Sequence, residues 1–107
     1  MIEEWLEPWY LIEDEDLRQA LNEELQKELG RRHPLYRLPA KVIARREDQD
    51  DVLVSLGDGR VAEVHLTWSQ KREVNPAWPG TKIFRSIEEW RERKMKPAHE
   101  DWVASGS

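Results

Sequence analysis

The side chains best suited to acid–base chemistry are His65 and the carboxylates that a hairpin would bring beside it, Asp51 and Glu63. An imidazole held in one tautomer by a carboxylate can transfer a proton near neutral pH. No activated nucleophile, oxyanion loop or glycine-rich phosphate loop accompanies them in the sequence. A small hydrolase-like enzyme centred on His65 is therefore one hypothesis, and a surface histidine in a cross-strand ion pair is the favoured interpretation.

A second set of polar side chains, His99, Glu100 and Asp101, offers ligand types that a metal ion accepts. Contiguous ligands lack the i, i+4 or paired spacing that marks a metal site. The sequence thus predicts no metal and no cofactor, and it leaves a candidate polar site of His65, Asp51, Glu63 and His99.

Tryptophan is unusually frequent, with six residues against one phenylalanine and two tyrosines in 107 residues. Large amphipathic rings either close a small core or anchor a partner. Trp68 and Trp90 lie in periodic segments and are expected in the core. The other four lie on an arm, a loop and a tail, and are predicted to bind a partner: Trp5, Trp9, Trp78 and Trp102.

Negative charge is concentrated in the first thirty residues, which hold ten acidic and two basic residues, although the net charge is only −5. Such a segment can steer the protein toward a basic partner, or it can be a solvated helix face. The favoured hypothesis is a non-enzymatic protein-binding module, of the inhibitor or immunity type, that blocks a basic partner. Its acidic contact residues would be Glu13, Asp14, Glu15, Glu23 and Glu24.

Basic residues cluster in the next segment around Tyr36, and aromatic rings among bases can stack on nucleotides. The acidic first third would repel phosphate, and the bases can instead pair with it. A nucleic-acid-binding domain is therefore the alternative hypothesis. Its contact residues would be Arg31, Arg32, Arg37, Lys41, Arg45 and Arg46.

Length and composition favour a single domain, since 107 residues leave no room for a second core. The chain has no cysteine, which excludes a disulfide framework and a thiolate nucleophile and fits a reducing compartment. Its start lacks the pattern of a signal peptide, and no apolar run approaches a membrane-spanning length. The cytoplasm is the expected location, and a homo-oligomer is not excluded.

The clearest local signals are one helix and one hairpin. A leucine stripe from Leu17, a cap at Asp16 and a stop at Gly30 predict a helix over 15–29. Gly57-Asp58-Gly59 predicts a three-residue turn with Gly59 left-handed. Pairing Leu56 with Arg60 places the apolar side chains of both strands on one face of the hairpin and His65 beside Asp51. A two-residue turn would distribute those apolar side chains over both faces. The face comprises Val52, Val54, Leu56, Ala62, Val64, Leu66 and Trp68.

Further patterns predict strands over 40–46 and 81–85 and a last helix capped by Ser86 and ended by Pro97. The loop 69–80 has no periodicity and is either functional or mobile. The predicted fold is α+β: a three- to four-stranded antiparallel meander covered by the N-terminal amphipathic helix, with a short C-terminal helix. The expected organisation is an arm over 1–13, a domain over 14–102 and a flexible tail over 103–107.

Several short motifs resemble those of a group of small bacterial proteins without an assigned function. They are His33-Pro34-Leu35-Tyr36, Asp50-Asp51-Val52-Leu53, His65-Leu66-Thr67-Trp68, Trp78-Pro79, Glu89-Trp90 and His99-Glu100-Asp101. The resemblance covers about residues 33 to 102. It implies a bacterial origin and one compact domain, and it implies no activity, cofactor or partner.

Overall fold

A five-stranded antiparallel meander forms the centre of the molecule, with strands ordered β1 to β5 along the chain. The computed structural model describes residues 4–68 and 77–106. The strands are β1 (Trp9–Leu11), β2 (Lys41–Arg46), β3 (Asp51–Ser55), β4 (Val61–His65) and β5 (Gly80–Phe84). The α+β class is confirmed. The predicted strand count is too low, because residues 9–11 of the expected arm pair with β2 and extend the sheet.

The first helix, α1 (Glu15–Glu28), begins within one residue of its predicted start and ends within one of its predicted end. Its cap is Asp14 and not Asp16, since the Asp14 Oδ1 atom accepts hydrogen bonds from the backbone N–H groups of Asp16 and Leu17 at 2.9 and 3.3 Å. A side-chain oxygen in this place satisfies donors that the helix itself leaves free. The leucine stripe then faces the sheet.

One face of the sheet packs against α1. The core there joins apolar residues of the helix, of the following loop and of the inner strands. Its fully buried members are Ile12, Leu21, Leu25, Leu29, Leu35, Val42, Val52, Val54, Leu56, Ala62, Val64 and Leu66. This is the apolar face expected from the hairpin, except that Trp68 does not belong to it.

The opposite face carries a second core that the sequence patterns do not predict. It contains Trp9, Ala44, Leu53, Val61, Phe84, Trp90, Met95 and Ala98. Val42 and Ala44 would share one face of a regular strand, but the register shift between them turns Ala44 to the other side. The sheet is therefore buried on both faces, and the C-terminal helical segment covers the second face instead of lying at an edge.

The predicted hairpin register is confirmed. Leu56 N–H donates to the Arg60 carbonyl at 3.0 Å, and Val54 pairs with Ala62 and Asp51 with His65. Gly59 has φ +95°, a conformation that glycine adopts without strain. The strand ends at His65, and Trp68 then takes a positive φ of 58°, which removes its ring from the buried face.

The C-terminal helical segment is longer than predicted. It runs through α2 (Ile87–Trp90), a π-helical stretch (Arg91–Met95) and α3 (Lys96–Ala104). Ser86 caps it as expected, since its Oγ accepts the Glu89 N–H at 3.1 Å. Pro97 does not end the helix, because it occupies the first turn of α3, where a missing N–H costs little. The helix thus includes two residues of the expected tail.

Candidate functional site

One histidine and two exposed tryptophans lie where β4 ends and β5 begins. His65 at the end of β4 pairs with Gly80 at the start of β5. The C-terminal end of α1 and the loop 30–38 lie beside these strand ends, as the hydrogen bonds of Glu28 and His33 demonstrate. We call this region the strand-end surface and define it by His65, Trp68, Trp78 and Gly80.

Glu28 positions the backbone that carries Trp68. Its side chain is fully buried, and its two carboxylate oxygens accept the N–H groups of Thr67 at 2.9 Å and Trp68 at 2.8 Å. Burial is the main cause of a raised pKa for this carboxyl group; a hydrogen bond with the buried Glu24 adds to it, and the two backbone donors oppose it. An acidic residue on the buried side of α1 therefore fixes the chain direction after β4.

His33 positions the backbone that carries Trp78. Its Nδ1 atom accepts the Leu35 N–H at 3.0 Å, so Nε2 carries the proton and donates to the Pro79 carbonyl at 2.9 Å. The Thr81 hydroxyl also donates to that carbonyl, at 2.9 Å. The loop 30–38 is thereby joined to the start of β5, and the buried His33 has a structural role.

Trp68 and Trp78 are exposed despite this support, with 42% and 47% of their surface accessible. The Trp78 ring lies over the start of β5, since a Cβ atom placed on Gly80 would be 3.8 Å from its Cζ3 atom and 3.9 Å from the Cβ atom of His65. The expectation that Trp68 lies in the core is wrong. The exposure of Trp68 is difficult to predict from sequence, because a positive φ is uncommon for residues other than glycine and no neighbouring residue signals it here.

His65 and Asp51 form the contact that the hairpin register predicts. The His65 Nδ1 atom lies 2.6 Å from the Asp51 Oδ1 atom, and the histidine side chain is half exposed while the carboxylate is almost buried. This contact orients the ring and leaves Nε2 as its second polar atom. Such a pair can hold an imidazole in one tautomer, which is one part of a general base.

Glu63 has a different partner from His65. Its Oε1 atom accepts the Trp90 indole N–H at 2.9 Å, and the Lys94 ammonium lies 4.0 Å from Oε2. Burial raises the pKa of Glu63, and the nearby Asp51 charge adds to this, against the opposing effects of Trp90, Lys94 and Arg46. Glu63 therefore belongs to the second core, where it is the hydrogen-bond acceptor for the N–H group of the buried Trp90 indole.

His99 contacts yet another element. Its Nδ1–H donates to the Glu7 carbonyl at 2.7 Å and so ties α3 to the segment that precedes β1. The proposed polar site thus divides into three separate contacts. In residues 4–68 and 77–106, no three histidine, aspartate or glutamate side chains come close enough together to hold a metal ion.

The predicted partner-binding residues do not form one surface. Trp9 is 1% exposed and Glu24 is buried, so neither is available to a partner. Trp5 and Trp102 are half-buried. The remaining acidic residues are exposed, Glu13 and Asp14 just before α1 and Glu15 and Glu23 within α1. Its fourteen residues span about 21 Å, which separates the first three from Trp68.

The predicted basic cluster also divides. Arg31, Arg32 and Arg37 are exposed in the loop beside the strand-end surface, and the Arg37 guanidinium lies 5.5 Å from the Tyr36 ring centre. Lys41, Arg45 and Arg46 belong to β2, where Arg46 pairs with Asp48 at 2.7 Å. Three of the six basic residues therefore belong to the loop that His33 joins to Pro79.

Comparison with known proteins found no matching family model, curated protein or solved structure. The resemblance to small bacterial proteins therefore stays a prediction. No helix in the described part of the chain is both long and apolar enough to cross a membrane.

Proposed function

We propose that the protein is a non-enzymatic protein-binding module that contacts its partner through the strand-end surface. The observation that carries this proposal is the exposure of Trp68 and Trp78 on adjoining segments of one end of the sheet. Exposed tryptophans contribute strongly to protein interfaces when a rigid scaffold presents them. We place this activity in the cytoplasm, in keeping with the lack of cysteine.

Buried hydrogen bonds to the backbone near the two rings favour a preorganised binding surface over a flexible one. Glu28 bonds the Trp68 backbone from α1, and His33 bonds the Pro79 carbonyl from the loop 30–38. Both anchors are buried, so the backbone of each tryptophan segment is held before a partner arrives. A surface organised in advance loses less conformational entropy on binding.

The enzyme hypothesis has narrower support. His65 and Asp51 make an oriented pair, but Glu63 and His99, the other members of the proposed polar site, bond to Trp90 and to the Glu7 carbonyl. General acid–base catalysis on a covalent or hydrolytic route needs further groups aimed at the same reacting atom. His65 is better suited to line a binding surface beside Trp78.

The inhibitor role that blocks a basic partner would use a different part of the molecule. Its acidic residues lie along α1, with Glu13 and Glu15 at the helix end away from Trp68. Charge there can accelerate association with a basic protein, but it lies far from the exposed rings. We therefore propose tryptophan contacts as the source of affinity, and treat the acidic end as a separate, testable surface.

The test is a quantitative affinity enrichment from bacterial lysate with four immobilised proteins. Wild type and Tyr10→Ala should enrich the same partner, whereas Trp68→Ala/Trp78→Ala should lose it. Tyr10 is a matched control because it is an aromatic residue 38% exposed on β1, at the other edge of the sheet. A partner lost equally in Tyr10→Ala and the double variant would refute the proposal.

The fourth protein, Glu13→Gln/Glu15→Gln/Glu23→Gln, separates the two surfaces. If it alone loses the partner, the acidic inhibitor hypothesis replaces the strand-end surface. All variants are first compared by circular dichroism and urea unfolding, so that loss of fold is not mistaken for loss of binding.

A further inference from the structure

The outer edge of β5 is the longer of the two sheet edges in the described structure. Among residues 4–68 and 77–106, β5 pairs with β4 alone. An edge strand presents alternate N–H and C=O groups that can receive another strand. Ile83 is 38% exposed on the α1 side of β5, and Lys82 is exposed on the other side.

The opposite edge of the sheet is formed by β1, which is shorter than β5. β1 spans only three residues, and the Trp9 N–H on its outer side donates to the Leu6 carbonyl at 3.0 Å. Where β1 ends, the Asn22 Oδ1 atom accepts the free Val42 N–H of β2 at 2.8 Å. The chain therefore satisfies part of that edge with its own groups. The outer edge of β5 is five residues long, and alternate residues along it present backbone groups that no other strand of the described structure pairs.

We infer that the partner binds as an extended acidic segment that adds a sixth strand to β5, next to Trp78. The inference rests on the proposed protein-binding function and names the chemistry of the partner. Main-chain hydrogen bonds would supply affinity, and the exposed rings and charges would supply specificity.

Charge favours an acidic segment at the Gly80 end of β5. The exposed bases in this region are Arg31, Arg32, Arg37 and Lys82, against Asp50 as an exposed acid. His33 holds the arginine-bearing loop against Pro79. Beyond the other end of β5, the Glu89 carboxylate already pairs with Arg85 at 3.3 Å and with Arg93 at 3.8 Å. The acidic residues of the partner would therefore lie near Gly80.

A second copy of this chain fits the edge less well. Antiparallel pairing of two β5 strands about their central residue would set Lys82 opposite Lys82, and like charges in that position destabilise a sheet. Nucleic acid would use the arginines and tryptophans but not the unpaired strand edge. The open edge is therefore the observation that favours a peptide segment.

The test begins with a random peptide library displayed on phage and selected against the full-length protein. We expect enriched peptides in which Asp or Glu accompanies alternating β-branched residues. A synthetic consensus peptide is then titrated by fluorescence anisotropy against wild type, Lys82→Glu and Lys41→Glu. Lys82→Glu should weaken binding about tenfold, since it puts like charges together. Lys41→Glu, an exposed lysine of β2, should leave binding unchanged.

The backbone contribution is tested on the peptide, so that the fold of the protein is not at risk. N-methylation of alternate residues removes main-chain donors, and one of the two alternate patterns should abolish binding. Enrichment of neutral or basic peptides, no enrichment, or equal affinity of both N-methylated forms would overturn the inference. So would a concentration-dependent dimer in light scattering, or displacement of the peptide by oligothymidylate.

These outcomes separate the inference from the proposed function. If Trp68→Ala/Trp78→Ala still loses the lysate partner but peptides show no dependence on the β5 edge, the binding module stands and strand addition fails. If Tyr10→Ala and the double variant behave alike, the proposed function itself fails.

Discussion

Five of the six tryptophans belong to two regions that differ in burial and in contacts. In the second core, Trp9 and Trp90 are buried edge-to-face with ring centres 4.9 Å apart, and the half-buried Trp5 packs on Trp90 at 5.9 Å. At the strand-end surface, Trp68 and Trp78 are exposed although buried polar groups hold their backbones. The same residue type thus closes a core in one region and remains available for contact in the other.

The largest expected effect comes from removing a ring in the buried group. Trp90→Ala should lower the free energy of unfolding by about 3–5 kcal/mol, because it leaves a cavity and removes the indole N–H group that donates a hydrogen bond to Glu63. Urea unfolding measures this change. A loss no larger than that of Trp78→Ala would contradict the division into two regions.

Removal of Glu28 should have the next largest effect. Glu28→Ala leaves the N–H groups of Thr67 and Trp68 without their acceptor and should cost about 1–3 kcal/mol. It should also loosen the Trp68 segment, which faster amide hydrogen exchange at residues 67 and 68 would reveal. Glu23→Ala, an exposed neighbour on α1, is the control. Unchanged exchange would show that Glu28 does not support the exposed ring.

The pH dependence of stability should reveal the buried carboxyl of Glu63. Its pKa is raised in the folded state, so the native protein binds the proton more tightly than the unfolded chain. Its contribution is therefore most favourable below the unfolded pKa, and is lost as pH rises through the folded value. Glu63→Gln removes this loss and keeps an acceptor for Trp90.

The stability difference between Glu63→Gln and wild type should consequently shift in favour of the variant as pH rises from about 4.5 toward neutrality. Urea unfolding at several pH values measures it. A difference that does not change with pH would show that the charge on Glu63 is not penalised by burial.

The smallest effect is expected for the exposed rings. Trp78→Ala should change the free energy of unfolding by no more than about 1 kcal/mol, because nearly half of the Trp78 surface is already exposed to solvent in the folded protein. Loss of the Trp78 ring should instead remove much of the acrylamide-quenchable tryptophan fluorescence of the wild type. A large loss of stability would place Trp78 with the buried group and weaken the proposed interface.

Much of the fold follows from local signals. The leucine stripe of α1 and the glycines beside Asp58 predicted one helix and one hairpin register, including the His65–Asp51 contact. A helix end predicted from a single proline was less reliable than these patterns. Pro97 reads as a helix end, but a π-helical stretch before it brings it into a first turn, where proline is tolerated.

The candidate site was predicted only in part. The sequence pointed to Trp78 as a contact residue, but it also pointed to Trp9, which the second core buries. It placed Trp68 in the core by extending strand alternation beyond the point where β4 ends. No local pattern marks Glu28 and His33 as supports, because each bonds to a segment 39 or more positions away along the chain. The loop residues 69–76 lie outside the described residues, so the prediction that this loop is functional or mobile stays a prediction.

By itself, the sequence determined the features that depend on neighbours along the chain: helix caps, periodic apolar faces, the hairpin turn and the concentration of acidic charge before residue 30. Only the tertiary structure decided which tryptophans are buried, because that depends on the register shift in β2, on the C-terminal helix covering the second face and on long-range hydrogen bonds. Burial is a property of three-dimensional packing, and identical side chains in similar local sequences can meet opposite environments.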